Sequence, residues 1–565
     1  MGQQTAPQAT PETTGTGHLI LPSHPDLCYT NPCGGLAMPN LYVNPGNELF
    51  TEALNYPIYV DKSLLIAELN KLCSSPGKFV CVSRPRRFGK SMAGAMIAAY
   101  YSKGCDSRAL FDQLKISHDP SYESRLNKMN VIKIDLNGFQ IGVADKTTVI
   151  DRLTKEVGKE LSAVFPNVDI QGQERLCDML QQIYAATGET FIIIIDEYDV
   201  LVREKVGQKA LDIYLSFLSS LFKNQTLKPA ISLAYLTGIL PIVRDRIQSK
   251  MNEFDEYSMT DPGQLAEFAG FTKEETKALC DKYGMDFAEC ERWYDGYHLR
   301  PDLSVYSPKS VVQAMRKHEY GSYWTITGSY EALKNYILMN FEGIKDDVIR
   351  MIGGSRVDVN VLKYLNTMTD FYSKDDVFTY LIHLGYLAYD RGEKQCYIPN
   401  EEIRNEWVIS IEDEADYKPI MEMINDSKQL LQSTIDGDSQ SVATALDKAH
   451  ISATNPLTYN DEKSFQSAIG LAYFYANTKY TVIKELPTGK GYADLALIPF
   501  LPNIPAMIIE LKNKKSANSA IQQIKAKAYD EKLRHYRGDL LFVGISYDPD
   551  TKAHECRIEK LVIAD

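Results

Sequence analysis

Residues 84–91 read Arg-Pro-Arg-Arg-Phe-Gly-Lys-Ser and end as a phosphate-binding loop ends. Such a loop aims backbone N–H groups and a helix N-terminus at anionic phosphates, with a lysine reaching the β- and γ-oxygens. Gly89 lets the backbone come close, Lys90 neutralises charge, and the Ser91 hydroxyl can ligate Mg²⁺. Arg84 stands where the standard motif has its first glycine, which costs flexibility at the loop entrance. Gly-Lys-Ser alone is a common tripeptide. It gains weight about a hundred residues on, where the apolar run Phe191–Ile195 leads directly into Asp196-Glu197. Asp196 would hold Mg²⁺ through water, and Glu197 would orient or deprotonate the attacking water. A further apolar run ends at Thr237-Gly238, where a side chain can sense a γ-phosphate. Arg244 and Arg246 follow as candidate transition-state arginines, for which surface ion pairing is an equally good explanation.

A second constellation lies near the C-terminus. Asp494 sits in the strand-like run Tyr492–Ile498, and Glu510-Leu511-Lys512 closes the next strand. Strand alternation puts Glu510 and Lys512 on one face. Two carboxylates and a lysine at a strand end suit metal-assisted phosphodiester hydrolysis, the acids holding Mg²⁺ and the lysine stabilising charge or positioning the nucleophile. Glu462, on an upstream helix, is a candidate third metal carboxylate. Gln523 and Tyr529 lie on the following helix, with Lys525 and Lys527 interleaved to meet a phosphate backbone. Asp followed by Glu-x-Lys is weak as a pattern. The order helix-Glu, strand-Asp, strand-Glu-x-Lys, helix-Gln strengthens it.

These residues need elements to hold them. Residues 1–45, rich in Gln, Thr, Pro and Gly, read as a disordered tail. Strands at Phe79–Ser83, Val131–Leu136, Phe191–Ile195 and Ile231–Leu236 alternate with helical patterns, which implies an α/β doubly wound parallel sheet over residues 46–266. Residues 267–454 read as mostly helical, with Asp375–Tyr389 running into a hairpin at Gln395–Pro399 in winged-helix-like order. Residues 455–565 form a new α/β unit with strands near Tyr480–Leu486, Tyr492–Ile498, Ala506–Leu511, Leu540–Ile545 and Glu555–Ile563.

Hydrophobic residues make up 44% of the chain and charged residues 24%, ordinary for a globular protein, and no apolar run approaches membrane-spanning length. The N-terminus lacks the pattern of a secretory signal, so a cytoplasmic location is expected and no membrane partner. A net charge of −13 argues against a surface that grips nucleic acid everywhere. The balance shifts along the chain: residues 455–565 hold 15 Lys+Arg against 13 Asp+Glu, and Pro505–Arg537 holds eight basic residues against three acidic. A local basic face there is as plausible as a solvated amphipathic helix.

Together these residues resemble a bacterial family of AAA-like ATPases fused to a C-terminal domain of the PD-(D/E)XK nuclease superfamily. The resemblance rests on Tyr59-Val60-Asp61-Lys62, the loop at 84–91, Asp196-Glu197-Tyr198-Asp199, Thr237-Gly238-Ile239, Gly270-Phe271-Thr272, Trp293–Tyr297, Tyr323-Trp324, Gly491–Asp494 and Glu510–Lys512. It implies a P-loop ATPase sheet, a helical and winged-helix-like connector and a restriction-endonuclease-like domain. ATP and Mg²⁺ are the implied cofactors, with Arg86, Arg87, Phe88, Gly89, Lys90, Ser91, Asp196 and Thr237 around the nucleotide. Trp293–Tyr297 is expected to pack in the lid. Three prolines between Asp494 and Glu510 suggest a loop at the sheet edge. The function implied is an ATPase that controls a Mg²⁺-dependent nuclease acting on nucleic acid, DNA foremost, and homo-oligomers are compatible with it. The competing function is an ATP-driven switch or scaffold whose C-terminal domain binds nucleic acid or protein without cutting.

Overall fold

Four apolar runs separated by helices become β1 (Phe79–Ser83), β2 (Asn130–Asp135), β3 (Phe191–Asp196) and β4 (Ile231–Gly238) in the computed structural model of the chain. The structure describes residues 40–242, 253–324, 330–339, 341–363, 371–412, 414, 417–452, 468–488, 491–499, 504–526 and 539–561. A fifth strand, β5 (Asp255–Tyr257), is short and acidic, with no apolar run to announce it. The order across the sheet is β2-β3-β4-β1-β5, and every pairing is parallel.

Helices cover both faces, which is why β3 reads as a continuous apolar run rather than an alternation. Phe191, Ile193 and Ile195 pack with the helices Val149–Val164, Leu176–Thr187 and Gln208–Phe222. Ile192 and Ile194 pack with Leu64–Leu72 and Lys90–Tyr101 on the other face. Register then levels the carboxyl ends of the strands: Asp135 lies beside Asp196, Asp196 beside Thr237, and Gly238 beside Ser83. Ligands bind outside such ends in open α/β sheets.

The stretch after β5 is helical, as expected, but also holds two small antiparallel sheets. The first joins β6 (Phe271–Thr272), β7 (Tyr297–Arg300) and β8 (Leu303–Tyr306) in the order β6-β8-β7. The second joins β9 (Val357–Asp358), β10 (Ala388–Asp390) and β11 (Gln395–Tyr397) in the order β10-β11-β9. Its β10–β11 hairpin follows the helix Lys374–Leu384, the helix-then-hairpin order read from the sequence. The Trp293–Tyr297 signature packs: the Tyr294 hydroxyl donates to the Gly321 carbonyl at 2.9 Å and the Tyr297 hydroxyl to that of Gly385 at 2.7 Å. The polar stretch after residue 412 forms two helices, Lys418–Ile435 and Ser439–Ser452, broken where Gly437 turns left-handed at φ 76°.

The C-terminal sheet runs β12 (Tyr480–Thr488), β13 (Gly491–Pro499), β14 (Ala506–Asn513), β15 (Leu540–Asp548), β16 (Ala553–Leu561) in that spatial order. Only β14–β15 is parallel, across the helix Ala517–Ala526; the other neighbours are antiparallel. Strands β13 and β14 are therefore interior, and most of the proline-rich link between them, expected as a loop at the sheet edge, lies outside the described residues. One face shares a continuous core with the two helices that precede residue 453. The other packs on Ala517–Ala526 through Ile521 and Ile524. Among the described residues no helix is long and apolar enough to cross a membrane.

Candidate functional site

Gly89 caps the helix Lys90–Tyr101 in a left-handed conformation (φ 84°), and Arg87 adopts a left-handed φ of 72° that non-glycine residues rarely take. The loop wraps one end of a cavity of about 950 Å³. Arg86, Arg87, Phe88, Gly89, Lys90 and Ser91 all contribute to its wall, with Asn137, Glu197 and Arg203 facing them from the neighbouring strand ends. The opposite wall is largely apolar: Tyr56, Ile58, Tyr59 and Val60 from before β1, Phe268, Phe271 and Val312 from after β5. A phosphate-gripping end joined to an apolar end fits a nucleoside triphosphate.

Arg84 is no damaged glycine. It is fully buried and donates from Nη1 to the carbonyls of Ser83 and Tyr257, both at 2.9 Å, stapling the end of β1 to the end of β5. Burial pulls its pKa down to about 10. Phe88 also serves the fold: its ring is buried edge-on against Tyr297, with centroids 5.5 Å apart, and its carbonyl accepts the Gly270 N–H at 3.1 Å.

Burial pushes the Lys90 ammonium pKa down, opposed by the charges of Glu197, Asp199 and Asp196, and its Nζ donates to the Pro85 carbonyl at 2.8 Å. Asp196 ends β3 buried, its carboxylate raised in pKa chiefly by burial, with the nearby Ser91 hydroxyl working against that rise. Ser91 and Asp196 are thus together, as an oxygen donor set for Mg²⁺ requires. Glu197 follows in a left-handed turn (φ 53°), its pKa also raised, by burial first. Thr237 stands beside Asp196 in register but is buried and absent from the cavity wall. Arg244 and Arg246 lie outside the described residues.

Two residues with no role assigned from the sequence join this site. Asp199 Oδ2 accepts the Ile239 and Leu240 N–H groups at 3.1 and 2.9 Å. Arg203 pairs with the same oxygen through Nε at 2.9 Å and with Glu197 through Nη2. The spacing Asp199 to Arg203, four residues on a helical turn, was the available signal.

In the C-terminal sheet, the β13–β14 ladder ends at the pair Leu495–Ile509, so Asp494 and Glu510 are the first residues past it on either strand. Asp494 Oδ2 instead accepts the Leu511 N–H at 2.7 Å. Glu510 is buried, and its Oε1 meets Lys512 Nζ at 3.0 Å and the Gln523 amide. Gln523 reaches it because the helix Ala517–Ala526 sits close on β15, where a Cβ at Gly544 would collide with the Ala517 carbonyl. The sheet therefore brings Glu510, Lys512 and Gln523 together beside Asp494. Lys525 points elsewhere, in an ion pair with Glu559 at 2.5 Å. Glu462, Lys527 and Tyr529 lie outside the described residues, among which no group of three metal-ligating side chains occurs.

A loop ending in Gly-Lys-Ser between β1 and its helix, with an acid pair ending the parallel strand β3 one place beyond β4, defines a P-loop nucleoside-triphosphatase fold. Residues 50–248 match the model of the family described as "Predicted AAA-ATPase", which implies nucleotide binding, and residues 460–556 match that of the PD-(D/E)XK nuclease superfamily. An uncharacterized protein in the vnfD 5′ region of Azotobacter chroococcum mcd 1 is 26% identical over 280 residues, 48% of this chain and 51% of that protein. The chain thus spans about half the length of the curated relative it matches. Among solved structures, the Aeropyrum pernix ORC2 protein with ADPNP and ADP is similar at 11% identity and TM-score 0.29, over 65% of this chain and 92% of that one. C. elegans PCH-2 is similar at 10% identity and TM-score 0.19, over 53% and 62%. Likeness at that level carries no functional weight.

Proposed function

We propose that this chain binds and hydrolyses ATP between Lys90 and Glu197, and that the state of this site controls Mg²⁺-dependent cleavage of nucleic acid, DNA foremost, at Asp494, Glu510 and Lys512. In the first site Lys90 offsets charge on the β- and γ-phosphates, and Ser91 with Asp196 supplies hard oxygen ligands. Glu197, its pKa raised by burial, takes the proton of the attacking water. In the second site Asp494 and Glu510 supply the metal carboxylates, Lys512 offsets charge at the phosphodiester, and Gln523 fixes the orientation of Glu510. Mg²⁺, when bound, polarises the phosphate and lowers the pKa of a water. Glu462 remains the proposed third carboxylate.

The observation that carries the nuclease reading is the meeting of Lys512 and Gln523 on Glu510 where the ladder opens at Asp494. Control by nucleotide is supported by a chain of contacts. Arg87 donates to the Tyr323 carbonyl at 2.6 Å, and the Tyr323 N–H donates to Glu402 at 2.6 Å. The helix Glu401–Ile411 carrying Glu402 shares its core with one face of the C-terminal sheet. The competing reading, a scaffold that binds without cutting, is favoured in its protein-binding form by Lys525: a cation paired with Glu559 adds little to a phosphate-binding face. Cleavage of plasmid and linear DNA by the full chain with Mg²⁺ and ATP separates the two. Glu510→Gln and Lys512→Ala should lose cleavage and keep DNA binding. Absence of cleavage of DNA and RNA by the wild-type chain would leave the scaffold.

A further inference from the structure

Arg203 is a nearly buried cation on the wall of the nucleotide cavity, its side chain 10% exposed. Two of its nitrogens are engaged, Nε on Asp199 and Nη2 on Glu197, while Nη1 makes no hydrogen bond among the described residues. Burial works against its charge, but Asp199 and Glu197 outweigh burial and raise its pKa. The guanidinium therefore stays charged and is held in place from two sides. It shares the cavity wall with Lys90 and the water-activating candidate Glu197. The remaining edge of such a fork is preorganised for a phosphate oxygen.

We propose that Arg203 is the residue by which this site distinguishes ATP from ADP: it contacts the terminal phosphate in cis while holding Glu197 beside it. This rests on the ATP-binding reading above and names the residue that reads the third phosphate. The Asp199 carboxylate ties the same guanidinium to the backbone at Ile239 and Leu240, so the contact also bears on the segment leaving β4. Arg203 thereby occupies the role for which Thr237, buried and off the wall, is poorly placed.

The test is equilibrium binding of ADP and of the β,γ-imido analogue of ATP, with Mg²⁺, to the wild-type full chain and to Arg203→Gln and Arg203→Lys. Loss of one charge-assisted contact should weaken the triphosphate analogue about tenfold or more in Arg203→Gln, leave ADP within about twofold, and be partly restored in Arg203→Lys. Intact ADP binding also reports a folded site, which a purely structural role for Arg203 would not preserve. Equal weakening of both nucleotides, or no change in either, overturns the proposal for Arg203 while leaving the ATP site standing. A wild-type chain that binds neither nucleotide overturns the ATP reading itself.

Discussion

Arg84 Nη1 lies 2.9 Å from the carbonyl oxygen of Tyr257, a residue 173 positions away in sequence and on the edge strand of the parallel sheet. The arginine that interrupts the phosphate-loop motif is thus the pin that fixes β5 against β1. Arg84→Gly would regularise the motif yet remove buried packing and two hydrogen bonds, so a loss of about 3 kcal/mol is expected. Arg84→Met keeps the volume and removes a buried cation, and should cost about 1 kcal/mol or less. Denaturant unfolding of both variants checks the ordering.

Glu197 must be ionised to accept a proton, and burial raises its pKa. ATP turnover should therefore fall as pH drops through a value above the ordinary glutamate range, not within it. Glu197→Gln should lower kcat by roughly 10²–10⁴ and leave nucleotide affinity nearly intact. A pH–rate profile with an acid limb at the usual glutamate pKa would count against Glu197 as the base.

Glu402 is buried under the Tyr323 strap, accepting from the Tyr323 N–H at 2.6 Å and the Ser310 hydroxyl at 2.8 Å. Burial raises its pKa to about 7. The folded state thus binds this proton more tightly than the unfolded chain, so its contribution to stability falls as pH rises from about 4.5 to 7 and stays lost above. The difference in unfolding free energy between wild type and Glu402→Gln should change over that window by on the order of 3 kcal/mol, in favour of the variant at high pH. Parallel pH dependence in the two proteins would contradict it.

Metal should report on the second site without any substrate. Mg²⁺ or Mn²⁺ should raise the melting temperature of the wild-type chain, and Asp494→Asn with Glu510→Gln should abolish the part that belongs to the C-terminal sheet. An unchanged metal response in the double variant would remove these acids from metal binding.

Much of this was legible in the sequence where one element carried its own signal. Phe191–Asp196 is apolar because both sheet faces are covered, and its acids follow from where the strand stops. Glu510 and Lys512 share a face because strands alternate. What was not legible depended on distant partners. The Arg84 staple needs Tyr257, the Phe88 ring packs on Tyr297, and Lys525 pairs with Glu559. The strands β6 to β8 are two to four residues long, too short to show a period of two.

Control of the C-terminal site by nucleotide is tested most directly by the rate at which the full chain cleaves DNA at fixed Mg²⁺ with ATP, with the β,γ-imido analogue and with no nucleotide, for wild type and Lys90→Ala. Cleavage should differ by about tenfold or more between nucleotide states in the wild type and become independent of nucleotide in Lys90→Ala. Equal cleavage rates in all three states by the wild-type chain would contradict it.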